Sequence, residues 1–247
     1  MAKKSKVANY RNKGPKQQKV QELFEREWDP LGGCSGKRDQ SYIKKIKPRT
    51  EGQARLMKAI EEYNLTLAMG PAGTGKTYLA IAAAVEAFEK GTVDRIILSR
   101  PAIEAGESIG FLPGALEDKM APFLRPLYDA LNDRMGVKKL KHLIDTGEIE
   151  IAPIGYMRGR TLNNAFVVID EAQNCTYSQI KMVLSRLGWH STMVVTGDPD
   201  QSDLLSGMSG LSDIAKRLGS IENIAVETLK DVDIVRHPLV AQMLDVI

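Results

Sequence analysis

The side chains most suited to chemistry lie in residues 70–77, which read Gly-Pro-Ala-Gly-Thr-Gly-Lys-Thr. Glycines at three of these positions permit a tight turn whose backbone N–H groups point inward at phosphate oxygens. In such a loop the ammonium of Lys76 reaches the β- and γ-phosphates, and the hydroxyl of Thr77 binds Mg²⁺. The segment therefore predicts a nucleoside triphosphate site formed by Gly70, Pro71, Ala72, Gly73, Thr74, Gly75, Lys76 and Thr77.

The segments on either side of this loop have the composition of a strand and a helix. Residues 64–69 are mostly apolar and precede the loop directly, and residues 78–85 are a helix-forming run that follows it. A strand, a glycine-rich turn and a helix are the context in which a phosphate-binding loop occurs. An ordinary glycine turn is the alternative, and these two neighbours count against it.

A pair of carboxylates follows the apolar residues 166–169. Asp170 and Glu171 would stand at the carboxyl edge of a parallel sheet, beside the phosphate loop. There Asp170 can hold a water molecule on Mg²⁺, and Glu171 can orient or deprotonate the water that attacks. Solvated turn residues are the alternative for two carboxylates at a strand end. Because loop and carboxylates occur together, we predict hydrolysis, with Lys76, Asp170 and Glu171 catalytic and with Thr77 and Asp170 at the metal.

A third polar group follows the strand-like residues 193–196, Met-Val-Val-Thr, and reads Gly-Asp-Pro-Asp-Gln over residues 197–201. It would lie at the same edge of the sheet as the two carboxylates. Gln201 can donate a hydrogen bond to the γ-phosphate or to the attacking water, and we predict a catalytic role for it. Gly-Asp-Pro-Asp is also an ordinary turn sequence, and in isolation that interpretation would be preferred.

These groups need a scaffold that brings distant segments to one edge. Beyond residue 48 the chain alternates strand-like and helix-like segments, which is typical of an α/β fold with a parallel sheet flanked by helices. The predicted strands are residues 64–69, 94–99, 148–153, 165–170, 192–196 and 221–228. The predicted helices are residues 116–134, interrupted at Pro122 and Pro126, and residues 137–145, 177–187, 210–218 and 238–246.

The charge distribution divides the chain into two parts. The first 50 residues contain 14 Lys/Arg and 5 Asp/Glu, a net charge of +9, whereas the remainder contains 20 and 26, a net charge of −6. We therefore expect a basic, partly disordered N-terminal arm over residues 1–47 and one folded domain over residues 48–247. The arm either keeps the protein solvated or binds the phosphate backbone of a nucleic acid.

The remaining composition excludes several classes of protein. There is no run of 18 apolar residues and no apolar N-terminal segment, so we expect neither a membrane span nor a signal peptide. We therefore expect a cytoplasmic location. Cys34 and Cys175 lack the spacing of a zinc site and are interpreted as reduced thiols.

The order of the three motifs resembles the first motor domain of superfamily 1 helicases. Five further segments are similar to the PhoH family, and with the motifs they extend the resemblance over about residues 48–247. They are residues 99–114, 124–131, 149–153, 156–162 and 235–240. The resemblance implies a RecA-like P-loop ATPase, in a family for which RNA-directed helicase or nuclease-associated roles are proposed.

The resemblance also implies roles for residues outside the three motifs. Gln53 resembles the glutamine that reads adenine in helicases, with an exposed polar helix residue as the alternative. Arg100 lies where such motors contact single strands, as do Glu104 and Glu107. Arg158 and Arg160 form a basic turn that could hold RNA phosphates, and structural ion pairing is the competing explanation for these charges.

Arg236 is the candidate for a cation that stabilises charge on the transferred phosphoryl group. Superfamily 1 motors take an arginine from a second RecA-like domain, whereas this chain has residues for one. Either Arg236 acts within its own chain, or a neighbouring subunit supplies it. We favour the second arrangement, a homo-oligomer that is a hexamer by analogy.

Two hypotheses follow for the whole chain. The first is an Mg²⁺-dependent ATPase coupled to the binding, remodelling or unwinding of RNA or single-stranded DNA. The second is a nucleotide-gated oligomeric scaffold or binding module without helicase activity. A small-molecule kinase is disfavoured, because the Asp-Glu-Ala-Gln and Gly-Asp-x-x-Gln motifs indicate water as the acceptor.

Overall fold

The structure is a computed structural model that describes residues 46–101, 116–205 and 207–235, together with Met243. Within the second range, side chains are described from Phe123 onward. The predicted basic arm, apart from its last two residues, and the helix predicted for residues 238–246, apart from Met243, lie outside the described residues.

The described part of the chain is built on a six-stranded sheet in which all five strand pairings are parallel. The strands are β1 (Leu65–Met69), β2 (Arg95–Arg100), β3 (Ile149–Pro153), β4 (Ala165–Ile169), β5 (Thr192–Gly197) and β6 (Ile224–Thr228). Their spatial order is β3-β2-β4-β5-β1-β6. The predicted α/β fold with a parallel sheet is confirmed.

Helices cover both faces of this sheet. They are α1 (Glu51–Glu62), α2 (Lys76–Glu89), α3 (Leu116–Met135), α4 (Val137–Asp145), α5 (Tyr177–Leu184) and α6 (Leu211–Leu218). One apolar core lies between the sheet and α1 to α4, and a second lies between the sheet and α5 and α6. Successive strand residues point to opposite faces, so a strand covered on both faces is apolar throughout, as the fully buried β4 is.

Helix α3 differs from the expectation, because it is continuous through Pro122 and Pro126. A proline inside a helix costs about 3 kcal/mol. Leu124, Leu127 and Leu131 lie on one face of α3 and are buried, and each buried leucine contributes roughly 1.5–3 kcal/mol. Tertiary packing therefore offsets the local penalty, and the predicted interruption was wrong.

The strand order determines which polar groups meet. Strand β5 lies between β1 and β4, with Met69 opposite Gly197 and with Ile169 opposite Val195. All strands being parallel, the residues that follow β1, β4 and β5 emerge at one edge of the sheet. Among the helices of the described residues, none combines the length and apolarity that crossing a bilayer demands.

Candidate nucleotide-binding site

The turn between β1 and α2 is formed by glycines in conformations that other residues rarely adopt. The φ angles of Gly70, Gly73 and Gly75 are 133°, 86° and 85°, and Gly75 is the left-handed N-cap residue of α2. The N–H of Gly70 donates to the carbonyl of Gly197 over 3.2 Å, which ties the start of the turn to the end of β5. The turn thus presents the N-terminus of α2 toward the sheet edge, as phosphate binding requires.

Gly70→Ala should destabilise the fold strongly. A Cβ at this position would lie 2.3 Å from the carbonyl oxygen of Leu229 and would have to accept the positive φ. We expect a loss of about 3 kcal/mol in the free energy of unfolding, measured by denaturant titration. Gly91→Ala is the matched control, since Gly91 has a φ of 70° and no atom within 4 Å of its added Cβ. It should cost about 1 kcal/mol, and equal losses for the two variants would contradict the steric argument.

Lys76 is buried beneath this turn and its ammonium contacts the turn itself. Its Nζ donates to the carbonyls of Gly70 at 2.6 Å and Pro71 at 2.8 Å. Burial lowers the pKa of Lys76 below its ordinary value, and the nearby carboxylates of Asp198, Glu171 and Asp170 oppose that shift. A buried ammonium is stabilised by anions, so an anionic phosphate is a fitting partner for it.

Asp170 follows β4 and is paired with two hydroxyls. Its Oδ1 accepts hydrogen bonds from Thr77 Oγ1 at 2.6 Å and from Thr196 Oγ1 at 2.7 Å. A carboxylate beside a hydroxyl fits Mg²⁺, which takes few protein ligands and completes its shell with water and phosphate oxygens. No group of three or more His, Cys, Asp or Glu is gathered for a metal among the residues that the structure describes. The predicted pair of Thr77 and Asp170 is therefore adjacent and chemically suited to Mg²⁺.

Glu171 has a left-handed backbone, with φ 54° and ψ 41°. A non-glycine residue in this region is strained, and such strain is concentrated at functional sites. Its carboxylate accepts hydrogen bonds from Arg100 Nη2 at 3.1 Å and from the side-chain amide of Gln173. These two contacts hold the carboxylate at the sheet edge.

The turn after β5 completes the site. Gln201 lies on it and is exposed, and the side chain of Asp198 is buried beside Lys76. The N–H of Asp198 donates to Gln173 Oε1 at 3.0 Å. No role was predicted from the sequence for three residues of this site, Thr196, Asp198 and Gln173. Their positions near the ends of β5 and β4 are the feature that could have indicated a role.

A cleft of about 320 Å³ joins these groups. It is lined by the phosphate loop with Lys76 and Thr77, by Asp170 and Glu171, and by residues 196–198 with Gln201. Its volume is that of a site for one small ligand. Lys76, Thr77, Asp170, Glu171 and Gln201, which the sequence placed in one site, therefore line one cleft.

Gln53 lies beside this cleft and does not line it. It is 5% exposed on α1, and its Nε2 donates to the carbonyl of Thr74 at 3.0 Å. Its Oε1 accepts a hydrogen bond from the N–H of Arg49 at 2.9 Å. The alternative of an exposed helix residue was wrong, because Gln53 supports the phosphate loop from below; adenine recognition stays a prediction.

The arginines predicted to contact nucleic acid have different environments. Arg160 forms two hydrogen bonds with Glu150, at 2.6 and 2.7 Å, and these contacts lower the pKa of Glu150. Arg100 is paired with Glu171, as described above, whereas Arg158 is exposed. Ion pairing therefore accounts for two of the three, and a nucleic-acid role for any of them stays a prediction.

Arg236, Glu104 and Glu107 lie outside the described residues. The last residue before Arg236 is described, and the N–H of Val235 donates to the carbonyl of Gly73 at 3.0 Å. The chain segment that leads to Arg236 is thus bonded to the phosphate loop of its own subunit.

The glycine turn has left-handed residues and lies over the buried Lys76. Beside it, Asp170 at the end of β4 accepts a hydrogen bond from Thr77. This arrangement defines the class of P-loop NTPases. Residues 45–247 match the family model described as "PhoH-like protein". The chain belongs to that family, and the resemblance inferred from the motifs is confirmed.

Two relatives illustrate the similarity. A PhoH-like protein of Bacillus subtilis is 51% identical over 203 residues, which are 82% of this chain and 64% of that protein. Protein PhoH of Escherichia coli K12 is 45% identical over 205 residues, which are 82% of this chain and 58% of that protein. The chain therefore spans about 60% of the length of the relatives that it matches.

Solved structures resemble the chain more distantly. The large terminase of a thermophilic bacteriophage has a TM-score of 0.46 and 11% identity, covering 81% of this chain and 50% of its own. The Pif1 helicase of Candida albicans has a TM-score of 0.39 and 14% identity, covering 81% of this chain and 43% of its own. Likenesses of this size carry no functional argument.

Proposed function

We propose that the chain is an Mg²⁺-dependent ATPase coupled to RNA or single-stranded DNA. The observation that carries the proposal is the meeting of Lys76, the Thr77–Asp170 pair and Glu171 in one cleft. A site that only binds nucleotide needs the loop and the metal pair. Glu171 adds a carboxylate that can act on water, which is the additional requirement of hydrolysis.

Each group has a distinct part in this reaction. Bound Mg²⁺ would neutralise charge on the β- and γ-phosphate oxygens. Lys76 would exchange its loop carbonyls for phosphate oxygens, and Thr77 and Asp170 would hold the metal. Glu171 would orient the attacking water and accept its proton, with Gln201 hydrogen-bonded to that water or to the γ-phosphate.

Coupling to a nucleic acid is supported by the family resemblance and by the surface beside β3. Tyr156 is 55% exposed in the turn that follows β3, and Arg158 is exposed two residues later. An exposed aromatic ring next to a cation suits a single strand, since bases stack on the ring and the cation attracts phosphates. The basic residues 1–47 would add a contact that depends on salt concentration.

The second candidate is an oligomeric scaffold whose assembly is controlled by ATP. It follows from the open question of Arg236, which acts in its own subunit or in a neighbouring one, as in a hexamer. The hydrogen bond from Val235 to Gly73 lies beside the phosphate loop, and Arg236 itself lies outside the described residues.

The test is ATP turnover across a panel of RNA and DNA strands, with the oligomeric mass measured in parallel. Stimulation by single strands would support the coupled ATPase. Turnover that no strand changes, with a mass that ATP shifts, would support the scaffold. Glu171→Gln serves as the background control for contaminating ATPases.

A further inference from the structure

Gln173 is a buried polar residue that the proposed reaction does not use. Its side chain is 3% exposed, in the short 3₁₀ turn Ala172–Asn174 that follows Glu171. A buried side-chain amide must satisfy both of its ends, because an unpaired polar group in the interior loses its hydrogen bonds to water without replacement. The partners of the two ends therefore show how the amide of Gln173 is oriented.

The two ends of the amide have different partners. Gln173 Oε1 accepts the backbone N–H of Asp198 at 3.0 Å, and Gln173 Nε2 donates to Glu171 Oε2. A backbone N–H can only donate and a carboxylate can only accept, so this arrangement admits one orientation of the amide. The donor end of Gln173 is thereby directed at the carboxylate of Glu171.

The backbone around Gln173 is bound to the same turn. The carbonyl of Gln173 accepts a hydrogen bond from Ser202 Oγ at 3.0 Å. Gly197 packs so closely that an added Cβ would lie 2.8 Å from Gln173 Oε1. Residues 198–202 thus contact Gln173 at both its side chain and its backbone.

That turn also lines the cleft. It contains Asp198, a charge partner of buried Lys76, and Gln201, which lines the cleft. The N–H of Gln201 donates to the carbonyl of Asp198 at 3.1 Å, so the two residues belong to one tight turn. A displacement of this turn would move the N–H that fixes the amide of Gln173.

We propose that Gln173 is a positioning residue that orients the Glu171 carboxylate and transmits the placement of the 198–202 turn to it. The proposal rests on the ATPase function proposed above. Arg100 donates to the other carboxylate oxygen of Glu171. Gln173 links this carboxylate to the turn that follows β5. The side-chain amide of Gln173 thus couples the 198–202 turn, which would sense the γ-phosphate, to Glu171, which would orient the attacking water.

Gln173→Glu tests this proposal with almost no change in volume. The new carboxylate can still accept the N–H of Asp198, but it cannot donate to Glu171 and it repels it. We expect kcat for ATP to fall by about 10²-fold, the size of effect that misplacing a reacting group by about 1 Å can have. The affinity for a non-hydrolysable ATP analogue should stay within about twofold, because Gln173 is not among the residues that line the cleft.

Gln179→Glu is the matched control. Gln179 lies six residues further along the chain, is exposed, and belongs to the capping box of α5, a position where glutamate is equally suitable. This variant should keep both kcat and affinity. Wild-type kcat in Gln173→Glu would overturn the proposal, as would a loss of affinity that matches the loss of kcat.

A second measurement examines the contact without reference to turnover. Gln173→Glu should lower the Tm, and adding Glu171→Gln should restore much of that loss, because the amide introduced at position 171 can donate to the carboxylate introduced at position 173. Additive Tm shifts would overturn the contact. If the wild-type protein itself does not hydrolyse ATP, the proposed function fails, whereas a failure of Gln173 alone leaves wild-type turnover intact.

Discussion

Lys76→Ala is expected to weaken binding of ATP by at least about 10²-fold. The ammonium is the one cation that lines the nucleotide cleft among the described residues, and a charged hydrogen bond contributes about 1.5–3 kcal/mol. Loss of two such bonds corresponds to about two to four factors of ten in affinity. Calorimetric titration with a non-hydrolysable ATP analogue and Mg²⁺ measures the change directly.

The fold should tolerate this substitution. The partners of Lys76 Nζ within the chain are two loop carbonyls and the Thr74 hydroxyl. Burial of the ammonium disfavours its charged form and lowers the pKa of Lys76. Lys90→Ala is the matched control, because Lys90 is the C-cap residue at the far end of the same helix and pairs with Glu86 on the surface. Undiminished affinity in Lys76→Ala, with Lys90→Ala also unchanged, would contradict the assignment of the phosphate loop.

Glu171→Gln is expected to retain ATP and to slow hydrolysis by about 10²-fold or more, the usual contribution of a general base. The amide has the shape of the carboxylate, and its single oxygen can keep the hydrogen bond from Arg100, whereas its nitrogen can no longer accept the one from Gln173. Binding should be retained because the phosphate loop and the Thr77–Asp170 pair are unchanged. Removal of the negative charge removes the proton acceptor. Single-turnover phosphate release, together with the affinity for ATP, separates the chemical step from binding.

Glu222→Gln makes the same chemical change at an exposed residue before β6. It should leave turnover unchanged. If Glu171→Gln turned over ATP at a near-normal rate, the base would have to be another group, and the proposed role of Gln173 would fall with it.

The architecture was predictable to a large extent because its signals are local. Short apolar runs between breakers are sufficient to identify β1, β4 and β5, and helix α4 was predicted with its observed bounds, Val137–Asp145. The phosphate loop was equally accessible, since its glycines, Lys76 and Thr77 are contiguous. Its conformation depends on φ values that glycine alone adopts readily.

The prediction was wrong where distant contacts compensate for a local penalty. Pro122 and Pro126 would interrupt an isolated helix, but α3 packs on the sheet and on α2 through its buried leucines. For Arg160 the sequence left ion pairing and an RNA contact as alternatives; the structure shows the ion pair with Glu150 on β3, and the RNA contact stays a prediction. Neither the packing of α3 against the sheet nor the pairing of Arg160 with Glu150 could be identified from spacing along the chain.

The sequence alone determined that the chain has a P-loop and a strand-end Asp-Glu pair, because each is contiguous in the chain. It also indicated a parallel α/β sheet, because strand-like and helix-like segments alternate. Tertiary structure decided that β5 lies between β1 and β4. This order places Thr196 on Asp170 and Asp198 on Gln173, contacts that join residues 26 and 25 positions apart. Such contacts depend on how the strands are arranged in space, and one chain's sequence does not state that arrangement.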